Sequence, residues 1–217
     1  MIEGVVFDLD GVLLQTEELW DEVRAGLARD HGREYGREQQ RAMMGMSAPE
    51  WSRYMAETVG VPWAPARISD EVVSRMLERY RARLPLLPGA VDAVHRLAAR
   101  WPLGLASSSN RPLIELALDL AGLAPLFTAV VSSEEVPRGK PAPDVYLEAA
   151  RRLRVPAERC AAIEDSHSGI RSAKAAGMRV VAIPNPTFPP DEDALALADL
   201  KLRSLEELTP AAVSATR

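Results

Sequence analysis

The alternation of apolar runs with helical patterns constrains the fold of this chain more than any other feature. Helical patterns such as RPLIELALDLAG, PDVYLEAARRLRV and SGIRSAKAAGM separate short apolar runs typical of buried strands. Strands that alternate with helices form a parallel sheet covered on both faces, so we predict an α/β fold. The apolar runs are GVVFDL (4–9), LGLASS (103–108), TAVVSS (128–133), CAAIED (160–165) and RVVAI (179–183), and ADLKL (198–202) predicts an edge strand.

The segment from residue 16 to residue 84 interrupts this alternation. It contains the helix-like stretches TEELWDEVRAGLARDHG, APEWSRYMAETVG and SDEVVSRMLERYRARL and no convincing strand. The sequences APE (48–50) and SDEV (69–72) predict helix starts. The prolines and the glycine of LPLLPGA (84–90) indicate a linker that returns to the sheet. We therefore predict an inserted helical domain.

Polar side chains follow four of the apolar runs, at the point where each strand should end. Asp8 and Asp10 come after Val5–Phe7, and alternation along an extended chain directs both carboxylates to one side. Gly11 allows the backbone to turn tightly just beyond them. Because open parallel sheets bind ligands at the carboxyl ends of their strands, we expect these groups to converge there. The groups after the other runs are Ser107–Ser109, the segment from Glu134 to Lys140, and the pair Glu164 and Asp165.

Three other interpretations of the two aspartates fit the sequence less well. A surface turn often contains Asp and Gly, but it does not explain the apolar run or the other polar strand ends. An EF-hand loop that starts at Asp8 needs a glycine and a glutamate where this chain has Leu13 and Leu19. The patterns GxxxxGK[ST] and GxGxxG do not occur, so a nucleotide-binding loop is not supported.

The residue types at the strand ends suit magnesium and a phosphate ester. Neighbouring carboxylates repel one another unless a cation, a shared proton or strong donors compensate. Glu164 and Asp165 supply the hard oxygen ligands that Mg²⁺ prefers, and Lys140 supplies a positive charge. The hydroxyl and backbone N–H groups of Ser107–Ser109 precede a predicted helix and can bind an anion. Phosphate is the anion that needs all of these groups.

Composition and charge argue against several classes of partner. The chain has 26 Lys and Arg residues against 31 Asp and Glu residues, a net charge of -5, which argues against nucleic acid or an anionic membrane surface. No apolar run reaches the ~18 residues of a membrane span, and the first residues lack the pattern of an export signal. We therefore expect a cytoplasmic protein. The single cysteine, Cys160, is predicted to be a small core residue.

Taken together, the motifs resemble the haloacid dehalogenase superfamily, in its phosphatase and phosphomutase branch. The resemblance covers the whole chain and implies a Rossmann-like core of residues 1–15 and 86–217, with a helical cap of residues 16–85 that selects the substrate. It implies a Mg²⁺-dependent phosphomonoester hydrolase that acts on a small phosphorylated metabolite, such as a sugar phosphate or a compound like phosphoglycolate. We expect a monomer or a small homo-oligomer. The motifs, in the order of the family, are DLDGV (8–12), ASSSN (106–110), GKPAPD (139–144) and EDSHSG (164–169).

Carried over position by position, the resemblance assigns roles to the carboxylates. Asp8 would attack phosphorus and form an aspartyl-phosphate, while Asp10 would protonate the leaving alcohol and then activate water. Mg²⁺ would be held by the Asp8 side chain, the Asp10 backbone carbonyl and Asp165. Glu164 would act on the metal directly or through a water molecule.

The resemblance also assigns the groups that bind the phosphate. Ser107, the backbone N–H of Ser108 and Lys140 would stabilise the phosphoryl oxygens, where negative charge concentrates during phosphoryl transfer. Asn110 would reach the same phosphate, or it would instead cap a helix. The nearby His167 is expected to cap a helix start or to contact solvent.

Departures from the family's patterns narrow the choice of reaction. Dehalogenases lack the second aspartate, which is present here as Asp10, and residues 16–84 contain no lysine for the Schiff base of the phosphonatases. Beta-phosphoglucomutase has a histidine and a cap arginine where this chain has Trp20 and Ala48. Hydrolysis is therefore favoured, and a sugar phosphomutase is the alternative. Gln15 replaces an aspartate usual in relatives and is predicted to affect the hinge.

The cap residues expected to contact the substrate are Trp20, Gly45, Ser47 and Trp51, although they could instead pack the helical bundle. If a tryptophan faces the cleft, a sugar ring or an apolar group suits it better than a second highly charged group. Most of the cap arginines are expected to form a solvated face.

Two readings from other functional classes remain open. A non-enzymatic binding module should have lost a carboxylate or Lys140, but all are present. A phospho-aspartate signalling domain would share the acidic site and the lysine, but it needs no helical cap. Both are therefore less favoured than catalysis.

Overall fold

The computed structural model describes residues 1–43, 46–186 and 189–215, and a parallel sheet forms its centre. The strands are β1 (Gly4–Phe7), β2 (Leu103–Ser107), β3 (Phe127–Ser132), β4 (Cys160–Glu164), β5 (Arg179–Ala182) and β6 (Leu200–Lys201). All neighbouring strands are parallel, in the order β3-β2-β1-β4-β5-β6. The predicted strands are confirmed, and β1 lies where the strand order reverses, which is where open parallel sheets form a crevice.

Helices pack on both faces of this sheet, and further helices lie in the segment that follows β1. In chain order, the helices are α1 (Glu17–Asp30), α2 (Arg37–Met43), α3 (Ala48–Glu57), α4 (Pro65–Ala82), α5 (Ala90–Ala98), α6 (Arg111–Leu120), α7 (Asp144–Leu153), α8 (His167–Ala175), α9 (Glu192–Leu195) and α10 (Pro210–Ala215). Val5 and Phe7 of β1 pack in the core under α5 and α6, whereas Val6 packs in the core under α7 and α8 together with the buried Cys160. The three layers confirm the predicted α/β, Rossmann-like fold.

Helices α1–α4 occupy the segment between β1 and α5. They pack on one another around buried apolar side chains such as Met55 and Ile68, and α4 also packs against α6. As predicted, the described residues of this segment contain no strand. Helix α4 begins at Pro65 rather than at the predicted Ser69, because proline is favourable at the first helical position. Helix α2 was not predicted, since only one of its residues, Met43, is buried and it lacks an apolar periodicity.

The two connections between this helical segment and the sheet run side by side. The N–H of Gln15 donates to the carbonyl of Pro85 (2.8 Å), and the N–H of Leu87 donates to the carbonyl of Leu13 (2.9 Å). The predicted domain boundaries after residues 15 and 85 fall at this crossing. The division into two domains stays a prediction.

In the part of the chain that the structure describes, no helix is both long and apolar enough to cross a membrane.

Candidate active site

A cavity of about 490 Å³ lies at the carboxyl ends of the central strands, between the sheet and helices α1–α3. The strand ends converge here because β1, β2 and β4 are adjacent and parallel. The side formed by the sheet includes Asp8, Asp10, Ser108, Ser109, Lys140 and Asp165. The side formed by the helices includes Thr16, Glu17, Trp20, Asp21, Arg24, Met43, Met46 and Trp51.

Lys140 joins two carboxylates at the base of this cavity. Its Nζ donates to Asp8 Oδ1 (2.8 Å) and to Glu164 Oε1 (2.6 Å), and all three residues are buried. Burial raises the pKa of Asp8 to about 8, against the opposing charge of Lys140, and Glu164 and Asp10 add to the rise. Burial alone would lower the pKa of Lys140, but the charges of Asp8 and Glu164 raise it above its ordinary value. Lys140 is therefore a fixed positive charge beside Asp8.

Glu164 has hydrogen-bond donors on both of its oxygens. Oε1 also accepts from the Tyr146 hydroxyl (2.8 Å), while Oε2 accepts from the N–H groups of Asp165 (3.0 Å) and Ser166 (3.2 Å) and from the Ser166 hydroxyl (3.1 Å). Burial opposes ionisation of Glu164, but Lys140 and these donors together hold its pKa below the ordinary value. Glu164 is thus an ionised and immobilised carboxylate.

Asp165 has the opposite environment. Its Oδ1 is buried and has no hydrogen-bond partner among the described residues. Burial, followed by the charges of Glu164 and Asp8, raises its pKa well above the ordinary value. Asp8, Glu164 and Asp165 each place a carboxylate oxygen within 4.8 Å of the others, so together they could hold a metal ion. An unpartnered oxygen among mutually repelling carboxylates fits a hard divalent cation.

Two glycines leave room for these carboxylates. At Gly11, where φ is +88°, a Cβ atom would overlap the carboxylate of Asp165. At Gly169, inside α8, a Cβ atom would overlap the carboxylate of Glu164. The glycines of the first and fourth motifs therefore allow the backbone to approach the acidic cluster closely.

We expect Gly169→Ala to reduce the free energy of unfolding by about 1–3 kcal/mol and to lower activity. The new methyl group needs space held by Glu164, which cannot move without losing its bonds to Lys140 and Tyr146. Gly26→Ala, in the interior of α1, is the matched control, because its Cβ meets no atom closer than 3.8 Å and alanine is the better helix former. Urea denaturation should show a loss only for Gly169→Ala; equal stability of both variants would contradict this packing.

The raised pKa values of Asp8 and Asp165 predict how pH affects the metal-free protein. Between the ordinary aspartate pKa and about 8, the folded state keeps a proton that the unfolded state releases, so stability should fall as pH rises through this window. With EDTA, the urea midpoint should be lower at about pH 8 than at about pH 5.5, and Asp8→Asn should weaken this dependence. A midpoint that rises over the same interval would contradict the prediction.

Asp10 is oriented by three hydroxyl groups. The Thr16 hydroxyl donates to Oδ1 (2.6 Å), the Ser109 hydroxyl donates to Oδ2 (2.7 Å), and the Ser107 hydroxyl lies 3.4 Å from Oδ2. Thr16 is fully buried at the N-cap of α1, yet its side chain contacts Asp10 rather than the helix. The sequence analysis did not identify Thr16, whose position shortly after the first motif was the available signal. It gave Ser109 only as part of an anion-binding segment and not as a partner of Asp10.

Two of the four predicted phosphate-binding residues line the cavity, and two do not. Ser108 and Lys140 line the cavity. Ser107 does not; besides its contact with Asp10, its hydroxyl accepts from the N–H of Ser109 (3.0 Å). Asn110 occupies the N-cap position of α6, but its amide donates to Glu134 (2.7 Å) and neither caps the helix nor reaches the cavity. Phosphate binding by Ser107 and Asn110 thus stays a prediction that needs their side chains to change partners.

Only some of the predicted cap residues line the cavity. Trp20 and Trp51 line the cavity, with ring centroids 6.0 Å apart. Ser47 does not line it, and its hydroxyl and N–H both donate to Glu50 at the start of α3 (2.6 and 2.8 Å). Gly45 lies outside the described residues.

Most of the cap arginines are exposed, as predicted, but Arg24 is an exception and is buried between Trp20 and Trp51. The residue that caps α8 is Ser166, whose hydroxyl accepts from the N–H of Gly169 (3.2 Å). His167 is the first residue of the helix and is exposed beside the cavity, so it has the second of its two predicted roles, contact with solvent. Arg24 has no signal in the sequence that separates it from the other cap arginines.

A comparison with models of known protein families identifies the family of this chain. The model of the haloacid dehalogenase-like hydrolases matches residues 2–177. The chain belongs to this family. As a member of it, the chain carries the four expected motifs on four neighbouring loops of one cavity.

Two relatives that align along most of the chain are named as phosphatases. Hexitol phosphatase B from Escherichia coli (strain K12) is 35% identical over 217 residues, which cover 96% of this chain and 95% of that protein. The fructose-1-phosphate phosphatase YqaB of the same organism is 33% identical over 185 residues, covering 83% and 95% of the two chains. The protein is thus an enzyme of the phosphatase class, a phosphoric monoester hydrolase.

Solved structures share the fold over the same length. CbbY from Rhodobacter sphaeroides, in complex with phosphate, has a TM-score of 0.88 at 30% identity and covers 99% of this chain and 100% of that chain. Beta-phosphoglucomutase from Clostridium difficile has a TM-score of 0.86, but at 23% identity it shows the fold alone.

Proposed function

We propose that this family member hydrolyses the phosphate monoester of a small hydroxylated metabolite, such as a sugar phosphate, through an aspartyl-phosphate on Asp8. The observation that carries the proposal is the carboxylate of Asp8, which lines the cavity and is fixed by Lys140, with the carboxylate of Asp10 beside it. The names of the phosphatase relatives support a sugar or polyol phosphate as substrate.

In this proposal, residues of this chain carry out both half-reactions. An oxygen of Asp8 attacks phosphorus as the bond from phosphorus to the ester oxygen breaks, and Asp10 gives that oxygen its proton. Water then attacks phosphorus as the bond from phosphorus to the Asp8 oxygen breaks, and Asp10 accepts a proton of the water. The products are inorganic phosphate and the free Asp8 carboxylate. Lys140 and the backbone N–H of Ser108 stabilise the negative charge on the phosphoryl oxygens.

We further propose Mg²⁺ as the metal, held by Asp8, the Asp10 carbonyl and Asp165. Bound there, Mg²⁺ would offset the repulsion between the nucleophile and the phosphate. Asp165 suits direct ligation, because its Oδ1 has no other described partner. Glu164, with donors already on both oxygens, suits an indirect role through water and through its bond to Lys140. A cytoplasmic location and a monomer or small homo-oligomer remain part of the proposal.

The mutase alternative lacks a specific observation in its favour. Ala48, at the position of the mutase arginine, is buried in the first turn of α3, and the cavity has Trp20 at the position of the histidine. Phosphoglycolate remains a candidate substrate.

Phosphate release from a panel of esters tests the proposal. Fructose 1-phosphate, glucitol 6-phosphate, phosphoglycolate and p-nitrophenyl phosphate would be assayed with Mg²⁺ and with EDTA. We expect release that requires Mg²⁺ and is largest for a sugar or polyol phosphate. Conversion of glucose 1-phosphate to glucose 6-phosphate without phosphate release would favour the mutase, and no reaction with any ester would favour a binding module.

A further inference from the structure

Arg24 is a buried cation that forms no ion pair with a described residue, although the charges of Asp21 and Asp10 act on it. It is 8% exposed, and its guanidinium carbon lies 4.9 Å and 4.8 Å from the ring centroids of Trp20 and Trp51. Its Nε is buried and has no hydrogen-bond partner among the described residues. Burial lowers the pKa of Arg24 to about 10, so the group stays charged at neutral pH. Because a buried charge without a direct hydrogen-bond partner is costly, we expect a group of a bound ligand to bond to Arg24.

Two carboxylates of α1 line the same cavity as Arg24. Glu17 Oε2 and Asp21 Oδ1 are both buried without a hydrogen-bond partner among the described residues. The hydroxyl of Tyr35 lies near Asp21 but forms no well-aligned hydrogen bond with it. Glu17, Asp21 and Arg24 follow the helical spacing of three to four residues, so they share one face of α1. The cavity therefore has unsatisfied acceptors and an unsatisfied donor on its helical side.

The mixture of donors and acceptors indicates the chemistry of the missing ligand. A hydroxyl group both donates and accepts, so neighbouring hydroxyls can bond to the carboxylates and to the guanidinium together. A second phosphate would satisfy Arg24 but would place its charge against Glu17 and Asp21. Arg41 also lines the cavity, but it is exposed and its charge is screened by solvent.

We propose that Glu17, Asp21 and Arg24 form a subsite for the hydroxyl groups of an uncharged leaving group, and that this subsite discriminates against a leaving group with a second phosphate. The inference rests on the proposed function, since it concerns the leaving group of the same phosphate ester. Trp20 and Trp51 hold the guanidinium plane in place, so their ring faces serve Arg24 rather than a stacked sugar.

A purely structural role for Arg24 makes different predictions. If the guanidinium only joined the two tryptophans, its loss would lower stability and affect all substrates alike. If it binds substrate hydroxyls, its loss should leave stability unchanged or higher, because an unpaired buried charge is removed. Only substrates that carry those hydroxyls should then react more slowly.

The first test is Arg24→Met in the full-length, Mg²⁺-loaded protein. For fructose 1-phosphate we expect kcat/KM to fall about 10- to 100-fold, the loss typical of a hydrogen bond to a charged group. For p-nitrophenyl phosphate, which has no hydroxyls on its leaving group, we expect a change below about threefold. Arg67→Met is the matched control, since Arg67 stacks on Trp63 (3.9 Å) but is exposed and does not line the cavity. Equal losses for both esters, or no loss for fructose 1-phosphate, would overturn the proposal.

The second test measures discrimination with a matched pair, fructose 1-phosphate and fructose 1,6-bisphosphate. The wild type should prefer the monophosphate, and Asp21→Asn, which keeps the shape but removes the charge, should reduce that preference about tenfold. A wild type that prefers the bisphosphate, or a preference that Asp21→Asn leaves unchanged, would overturn the proposal. Failure of the proposed function itself would look different, because hydrolysis of p-nitrophenyl phosphate by the wild type would then be absent.

Discussion

Asp8→Asn should reduce kcat for every phosphate ester by at least about 10⁴-fold while the fold persists. The amide cannot attack phosphorus, so the loss should not depend on the leaving group. Lys140 keeps its bond to Glu164 (2.6 Å) in this variant, and the repulsion of Asp8 by Glu164 and Asp10 is removed. The melting temperature of the metal-free variant should therefore equal or exceed that of the wild type.

Phosphate release and thermal denaturation on the same preparations measure both effects. Asp119→Asn, on the exposed side of α6, is the control and should retain full activity. Residual activity of Asp8→Asn above about one hundredth of the wild type would show that another group attacks phosphorus.

Lys140→Met should combine a large loss of activity with a large loss of stability. The side chain of Lys140 is 3% exposed and is the cation shared by Asp8 and Glu164, so its removal leaves the ionised Glu164 buried beside Asp8 without its cation. Breaking a buried ion pair by removing one partner costs about 3–5 kcal/mol. Loss of a charge that stabilises the phosphoryl oxygens should lower kcat about 10²- to 10³-fold.

Lys174→Met is the matched control for this variant. Lys174 pairs with Asp199 at 2.9 Å, but the two side chains are 39% and 20% exposed, so we expect a loss below about 1 kcal/mol. Denaturant titrations in EDTA, where no metal compensates the carboxylates, give the comparison. Similar losses for the two lysine variants would mean that Asp8 and Glu164 do not depend on Lys140 for their stability.

Local sequence patterns determined the fold and the chemistry of the part of the site that is proposed to bind the phosphate group. Continuous apolar runs predicted the strands and the parallel sheet, because a strand buried on both faces is apolar at nearly every position, and helical repeats predicted the inserted segment. A parallel sheet brings its strand ends to one edge, so the positions of Asp8, Lys140 and Asp165 followed from chain order and motif alone. Helix α2 and the start of α4 were missed, since neither depends on a clear apolar period.

Only the tertiary structure decided which polar groups pair and which remain unpaired. Lys140 lies 132 positions from Asp8, and no local pattern states that it also binds Glu164 and so leaves Asp165 without a described donor. Arg24 looks like any other cap arginine in the sequence. Its burial between two tryptophans results from the packing of α1 against α3, a contact between distant segments that depends on side-chain shape and has no period in the chain.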